Sequence, residues 1–328
     1  MSLLESALEA FAVGDAMGMP VEFMTLDEIK KRFGLIDRLV DTTSSAIHTN
    51  LCRGQITDDT EQVLYLIESY YEAGGVSIES TVTGLRRWII ETHAEEKGYV
   101  GPSSLKALQR IQKGEDVHQV GTQGTTCGGA MRVLAPALSV KKGDIRALRR
   151  AIWSSCIPTH NTNLAVEAAM ALGYGFHYAA TGATYDEILK SIIHGAKEGR
   201  KMGAKKYVGA STGKRIEWVA NVIKGIHSAE EVLDFIYHVI GTTMESNEVV
   251  PAAVGIFAYA KGDTWLSIKL GSSVGGDTDT IAAIAGTLSC LYSRGHNIPI
   301  SIVEMVLHTN NLGIQKYAAM LSSLFGDC

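Results

Sequence analysis

The chain has 328 residues, 46% of them hydrophobic and 20% charged, with 35 acidic against 30 basic side chains and a formal net charge of -5. That balance describes a globular protein with ample apolar mass for a core and excludes a surface built to attract nucleic acid or an anionic membrane. The five cysteines (Cys52, Cys127, Cys156, Cys290, Cys328) are widely spaced with no Cys-x-x-Cys pair, which argues against a disulfide framework or a zinc site. A cytoplasmic protein is expected: Glu5 and Glu9 stand where a secretory leader carries basic residues, and no apolar run reaches the roughly 20 residues of a membrane span.

Apolar residues recur every three or four positions in segments rich in Ala, Leu, Ile and Glu, which predicts helices over 63–71, 80–92, 164–178, 185–197, 229–240 and 302–324. Pro102, Asn161 and Pro251 read as helix openers, and Gly74, Gly114, Gly262 and Gly295 as stops. Only 36–40 has any strand character. The expectation is therefore an all-α chain, and with no linker, repeat or low-complexity tract to divide it, one compact domain over 1–328. Residues 195–215, with five Lys and two Arg, read as the most loop-like, solvated stretch.

Five segments carry candidate chemistry. Gly14-Asp15-Ala16-Met17-Gly18-Met19-Pro20-Val21-Glu22 reads as a tight turn fixing Asp15 and Glu22. Gly54-Gln55-Ile56-Thr57-Asp58-Asp59-Thr60-Glu61-Gln62 leads into an amphipathic helix, and Gly275-Gly276-Asp277-Thr278-Asp279-Thr280 into an Ala-rich helix that reads as buried all round. Taken singly, each acidic cluster is explained by helix capping, Asp58 with Glu61 even matching a capping box. Together they bring several carboxylates toward a core, where unpaired charge is costly. Hard divalent cations answer that need: Thr57, Asp58 and Asp59 with Asp277, Asp279 and Thr280 could enclose two ions about 3.5 to 4 Å apart.

The fourth segment, 121–136, has glycines at 121, 124, 128 and 129 ahead of Ala130-Met131-Arg132-Val133. It suits either a phosphate cradle or a helix-packing turn. In the fifth, Pro158-Thr159-His160-Asn161, the histidine precedes a helix capped by Asn161, and a structural role is its default reading. Neither a Gly-x-Gly-x-x-Gly fingerprint nor a Walker A loop is present.

In this order, the motifs at 14–22, 54–60, 128–136, 159–160 and 275–286 resemble the ADP-ribosylglycohydrolase family, the paired Thr-Asp-Asp-Thr and Gly-Gly-Asp-Thr-Asp-Thr being the specific part. The resemblance implies an orthogonally packed all-helical domain with a binuclear centre of Mg²⁺ or Mn²⁺, liganded by Thr57, Asp58, Asp59, Asp277, Asp279 and Thr280. It implies Glu22 or Asp59 as the acid/base, and substrate contacts from Asp15, Gly124, Cys127, Gly128, Gly129, Met131 and His160. The expected reaction is hydrolysis at ribose C1 of an ADP-ribosylated side chain or small molecule. One departure bears on substrate: family members commonly carry Gly-Asn-Gly where this chain has Thr126-Cys127-Gly128, a thiol in place of an amide. That keeps open a nucleoside or other small ribosylated metabolite. A metal-dependent phosphohydrolase and a non-enzymatic binding relative are the alternatives from other classes.

Overall fold

A computed structural model describes residues 1–97 and 100–326, so that Cys328 lies outside the described residues. Among these, helices and turns make up the structure and no strand forms; Thr162 and Lys205 share one isolated bridge. The expected all-α class is what is observed, and residues 36–40 are irregular. Two compact units result, each discontinuous in sequence: Met1–Thr57 with Arg215–Gln315, and Asp58–Lys214 with the segment from Lys316.

The first unit is built on the helix Thr278–Ser293, buried from Thr278 through Leu291 and flanked by the helices Leu3–Gly18, Thr264–Ser273 and Ser246–Ala260. Glycines set the spacing. A Cβ on Gly14 would lie 2.6 Å from the Ala283 backbone, one on Gly18 2.4 Å from Asp279 N, and one on Gly271 2.4 Å from Ala282 Cα. The stretch around Asp15 is therefore not the tight turn expected but the end of a helix, followed by the 3-10 turn Met19–Val21. Its glycines serve close helix approach, which offsets the roughly 1 kcal/mol that glycine costs in a helix.

Pro251 does not open a helix; it sits inside Ser246–Ala260. Its missing N–H leaves the Asn247 carbonyl, four residues earlier, without a helical donor. Arg215 Nη1 supplies one at 2.6 Å. The expected 302–324 helix is two helices, Ile300–Thr309 and Ile314–Phe325. Asn311 between them takes the left-handed conformation at φ 50°, and the Asn310 amide holds Ile56 N at 3.1 Å and Gly54 O at 2.8 Å. Residues 229–240 form the α-helix Ala229–Phe235 and then a π-helical turn, Ile236–Ile240.

In the second unit the buried helix Asn163–Ala180 is paired with Tyr185–Met202, and Cβ atoms at Gly195 and Gly199 would lie 2.4 Å from the carbonyl oxygens of Met170 and Val166. The loop-like reading of 195–215 thus holds only for 203–211, between that helix and Thr212–Val222. Buried Glu167 anchors this stretch, accepting from Arg200 at 2.7 Å, Ser211 Oγ at 2.5 Å and Gly213 N at 3.1 Å. Asn161 is not the cap of Asn163–Ala180; Thr162 is, its Oγ1 accepting from Ala165 N at 3.2 Å. Asn161 instead donates to His118 O at 2.9 Å and accepts from Ala204 N at 3.0 Å. Among the described residues, no helix is long and apolar enough to cross a membrane.

Candidate functional site

In the first unit, the Gly275-Gly276 turn is clamped by backbone: Phe23 N donates to Gly276 O at 2.8 Å, Gly276 N to Met24 O at 3.0 Å, and Asp277 N to Thr242 O at 2.8 Å. Both glycines have φ near +80°, and a Cβ on Gly276 would lie 2.0 Å from Thr242 O. No other residue fits there. The turn delivers Asp277, Asp279 and Thr280, all buried, to the N-terminus of Thr278–Ser293. Thr278 Oγ1 fastens the same end to Gly18 O at 2.9 Å. Asp277 occupies the N-cap position, yet its carboxylate makes no capping bond, so capping does not explain the cluster.

Glu22, at the end of the Met19–Val21 turn, reaches this cluster. Burial, then the Asp277 charge and a hydrogen bond with Asp277, hold the Asp279 carboxyl well above the usual carboxylate range; the Thr280 N–H and a hydrogen bond with Glu22 act the other way. Three carboxyl groups thus crowd one another, and no lysine or arginine is among the groups that set the protonation of Asp279. Ligand atoms of Glu22, Asp279 and His48 lie within 4.8 Å of one another. Burial pushes His48 down to about 4, so its 2.5 Å contact from Nε2 to Glu22 Oε2 is a hydrogen bond of a neutral imidazole rather than an ion pair. A divalent cation fits this set: its charge would offset the burial and the carboxylate repulsion that raise Asp279, and carboxylate and hydroxyl oxygens suit Mg²⁺ and Mn²⁺.

Asp15 and Thr57 also meet in this unit. The fully buried Asp15 carboxylate accepts the Thr57 N–H at 3.0 Å and its hydroxyl at 2.9 Å.

In the second unit, Asp58 and Asp59 open the helix Asp58–Glu72, directly after Thr57 in the chain. Asp58 Oδ2 accepts from Gln62 Nε2 at 2.9 Å, and Asp59 is buried. Glu61 accepts from the Trp88 indole at 2.8 Å.

Arg132 is the centre of a buried polar network in the same unit. Its Nη1 donates to Gly128 O at 2.7 Å and Gln62 Oε1 at 3.4 Å, and its Nη2 to Ser155 O at 2.9 Å and Thr159 Oγ1 at 2.6 Å. Thr159 Oγ1 also meets His160 Nδ1 at 2.7 Å, and Thr126 Oγ1 meets His160 Nε2 at 3.0 Å, so that on a neutral ring one hydroxyl donates and the other accepts, according to the tautomer. Burial, with Arg132 second, pushes His160 down to about 3, so this ring is neutral.

The glycine loop lies on that imidazole. Cβ atoms at Gly124 and Gly128 would come within 2.9 and 2.7 Å of the His160 ring, and one at Gly129 within 2.6 Å of Cys156 Sγ. Packing thus accounts for these glycines. Cys127 and Met131, expected beside them, are buried at the start and end of the short helix Gly128–Met131.

The structure therefore gathers Asp15 with Thr57, Glu22 with Asp277 and Asp279, and the 124–131 loop with His160. Sequence reasoning missed His48 and Gln62 as site residues, named Thr126 and Thr159 only within their motifs, and left Arg132 without a role, although an arginine in an otherwise apolar run was a signal.

The family model for ADP-ribosylglycohydrolase matches residues 4–327. The uncharacterized protein YegU of Escherichia coli (strain K12) is 30% identical over 96% of this chain and 95% of its own. The ADP-ribosyl-[dinitrogen reductase] glycohydrolase of Rhodospirillum rubrum is 24% identical over 88% of this chain and 85% of its own. A solved structure titled ADP-ribosylglycohydrolase-related protein complex shares the fold at TM-score 0.69 and 22% identity, covering 99% of this chain and 97% of that one.

Proposed function

The chain belongs to the ADP-ribosylglycohydrolase family and is a hydrolase of that type, and from that premise we propose that it cleaves a glycosidic bond at ribose C1, releasing ADP-ribose from a modified side chain or a small molecule. The proposed cofactor is a pair of divalent ions, Mg²⁺ or Mn²⁺, held by Thr57, Asp58, Asp59, Asp277, Asp279 and Thr280. The observation that carries the reading is the crowding of Glu22 and the buried Asp277 and Asp279, with burial and the Asp277 charge holding the Asp279 carboxyl well above the usual carboxylate range.

Bound divalent ions supply Lewis acidity and lower the pKa of a water. The side chains do the rest. A water oxygen bonds to C1 as the C1–N or C1–O bond breaks, and the leaving atom takes a proton. Positive charge developing on the ribose is stabilised by the surrounding carboxylates. Glu22 and Asp59 are the two candidates for moving the proton. Glu22 is partly exposed whereas Asp59 is buried, and the easier exchange of protons with solvent favours Glu22. Asp15, Gly124, Cys127, Gly128, Gly129, Met131 and His160 are the proposed contributors to the substrate subsite.

Thr126-Cys127 favours a second substrate class, ribosylated metabolites lacking a pyrophosphate. The Thr126 hydroxyl is engaged by His160, and Cys127 offers no amide. The test is turnover with Mg²⁺ or Mn²⁺ of ADP-ribosyl-arginine, ADP-ribosyl-serine and a nucleoside panel, with EDTA and Asp279→Asn as controls. EDTA-sensitive release of ADP-ribose that Asp279→Asn abolishes is the expected result. Cleavage of nucleosides alone moves the protein to the second class, and turnover insensitive to EDTA overturns the metal assignment.

A further inference from the structure

Glu22 is not the only side chain drawn up to Asp279. His48 belongs to the irregular stretch between the 3-10 turn Thr42–Ser44 and Thr57, and its backbone there is pinned. Its N–H donates to Ser45 Oγ at 3.0 Å, its carbonyl accepts from Leu51 N at 3.1 Å, and Leu51 O accepts from Thr42 Oγ1 at 2.5 Å. The residue is buried, with Nε2 turned to Glu22 Oε2 and within 4.8 Å of an Asp279 carboxylate oxygen.

Oxygen and nitrogen ligands sit about 2.0 to 2.2 Å from small divalent ions, so two of them on one ion are at most about 4.4 Å apart. The three ligand atoms are already near that spacing, and a modest side-chain adjustment brings them onto one ion. An imidazole in an otherwise all-oxygen set changes which ion is preferred: Mg²⁺ keeps to oxygen and gives up water reluctantly, while Fe²⁺, Co²⁺, Ni²⁺ and Zn²⁺ bind imidazole well.

We propose that His48 supplies an Nε2 ligand to the metal site beside Glu22 and Asp279, making it a mixed nitrogen and oxygen site that prefers a borderline first-row ion to Mg²⁺. The proposal rests on the metal-dependent reading above. A metal also makes sense of a buried imidazole placed against a carboxylate of its own cluster: the carboxylate and the imidazole become neighbouring ligands, and the ring's other nitrogen stays available for the outer hydrogen bond that metal-bound histidines make.

The test is pulsed EPR on the full chain loaded with Mn²⁺, which reads nitrogen coupled to the ion without any turnover. The expected result is a ¹⁴N signal that converts to ¹⁵N in wild-type protein carrying ¹⁵N-histidine and disappears in His48→Phe. Competition binding should show the preference for Co²⁺ over Mg²⁺ falling at least about tenfold in that variant. Labelled wild-type protein needs no substitution, so a poorly folding variant leaves the test standing. Mn²⁺ bound with no nitrogen coupling, or coupling that persists in folded His48→Phe, overturns the role of His48 while leaving the metal reading intact. No bound Mn²⁺ at all overturns both.

Discussion

Asp15 accepts three hydrogen bonds from Thr57, 42 residues away: both carboxylate oxygens take the backbone N–H at 3.0 Å and one takes the hydroxyl at 2.9 Å. The contact fixes the last residue before Asp58, so an aspartate in a buried helix sets the position of the chain where the first acidic cluster begins.

Asp15→Ala removes the acceptor that a buried N–H and a buried hydroxyl of Thr57 share, and the loss of such an acceptor costs about 1 to 3 kcal/mol per group. A loss of about 3 kcal/mol is expected in urea unfolding, with a weaker affinity for Mn²⁺ in calorimetry. Asp15→Asn keeps one carbonyl acceptor and should recover about half of the stability. Unchanged stability in the alanine variant would show that Thr57 is held by something else.

Gly18 is a second point where the N-terminal helix governs the acidic cluster. An added Cβ would sit 2.4 Å from the Thr278 carbonyl and from Asp279 N, all backbone atoms that no rotamer change can clear. Gly18→Ala should therefore cost about 3 kcal/mol, at the upper end of overpacking penalties, and lower metal affinity by moving Asp279. Gly225→Ala, where no atom lies within 4 Å of the new methyl, is the control and should stay within about 0.5 kcal/mol of wild type. Equal melting of the two variants would remove Gly18 from the account.

These contacts mark what the sequence could and could not reveal. The clusters at 57–59 and 277–280 were legible because acid and hydroxyl residues stand directly before periodic apolar runs, a purely local signal. Gly14 and Gly18 were misread as turn residues because their meaning comes from a helix some 260 positions later, and glycine looks the same in either role. Pro251 looked like a helix start because its compensation, the Arg215 guanidinium on Asn247 O, lies far away in sequence. His48 carried no local signal at all: it is an isolated histidine in an irregular stretch, defined only by the approach of Glu22. The break at Asn310 and Asn311 was hidden because the apolar periodicity runs through it.

Arg132 should tolerate lysine poorly. Its two terminal nitrogens serve four acceptors, Gly128 O, Gln62 Oε1, Ser155 O and Thr159 Oγ1, in a planar fork that an ammonium cannot reproduce. Arg132→Lys leaves acceptors unmet in a fully buried site and should cost about 3 kcal/mol. It should also release Thr159 Oγ1 from Arg132 and so change the tautomer balance of the His160 imidazole in ¹⁵N NMR. A lysine variant with wild-type stability and an unchanged histidine spectrum would contradict this network.

His160 gives the molecule a defined acid sensitivity. Burial holds the native imidazole down at about 3, whereas an unfolded histidine titrates near its ordinary 6.5. Between those values the unfolded chain takes up a proton that the native state refuses, so stability is fully present above about 6.5 and falls as the pH drops below it. From pH 7.5 to pH 5.5 the His160 contribution shrinks by about 1.4 kcal/mol. His177, also pushed down by burial, adds to the wild-type slope, so the effect must be read as a difference between proteins. His160→Gln keeps a donor and an acceptor but cannot titrate. Its stability deficit relative to wild type, measured by urea unfolding, should be smaller at pH 5.5 than at pH 7.5 by about 1.4 kcal/mol. A deficit that does not change with pH would mean that native His160 binds its proton as readily as the unfolded chain, and the neutral imidazole between Thr159 and Thr126 would have to be abandoned.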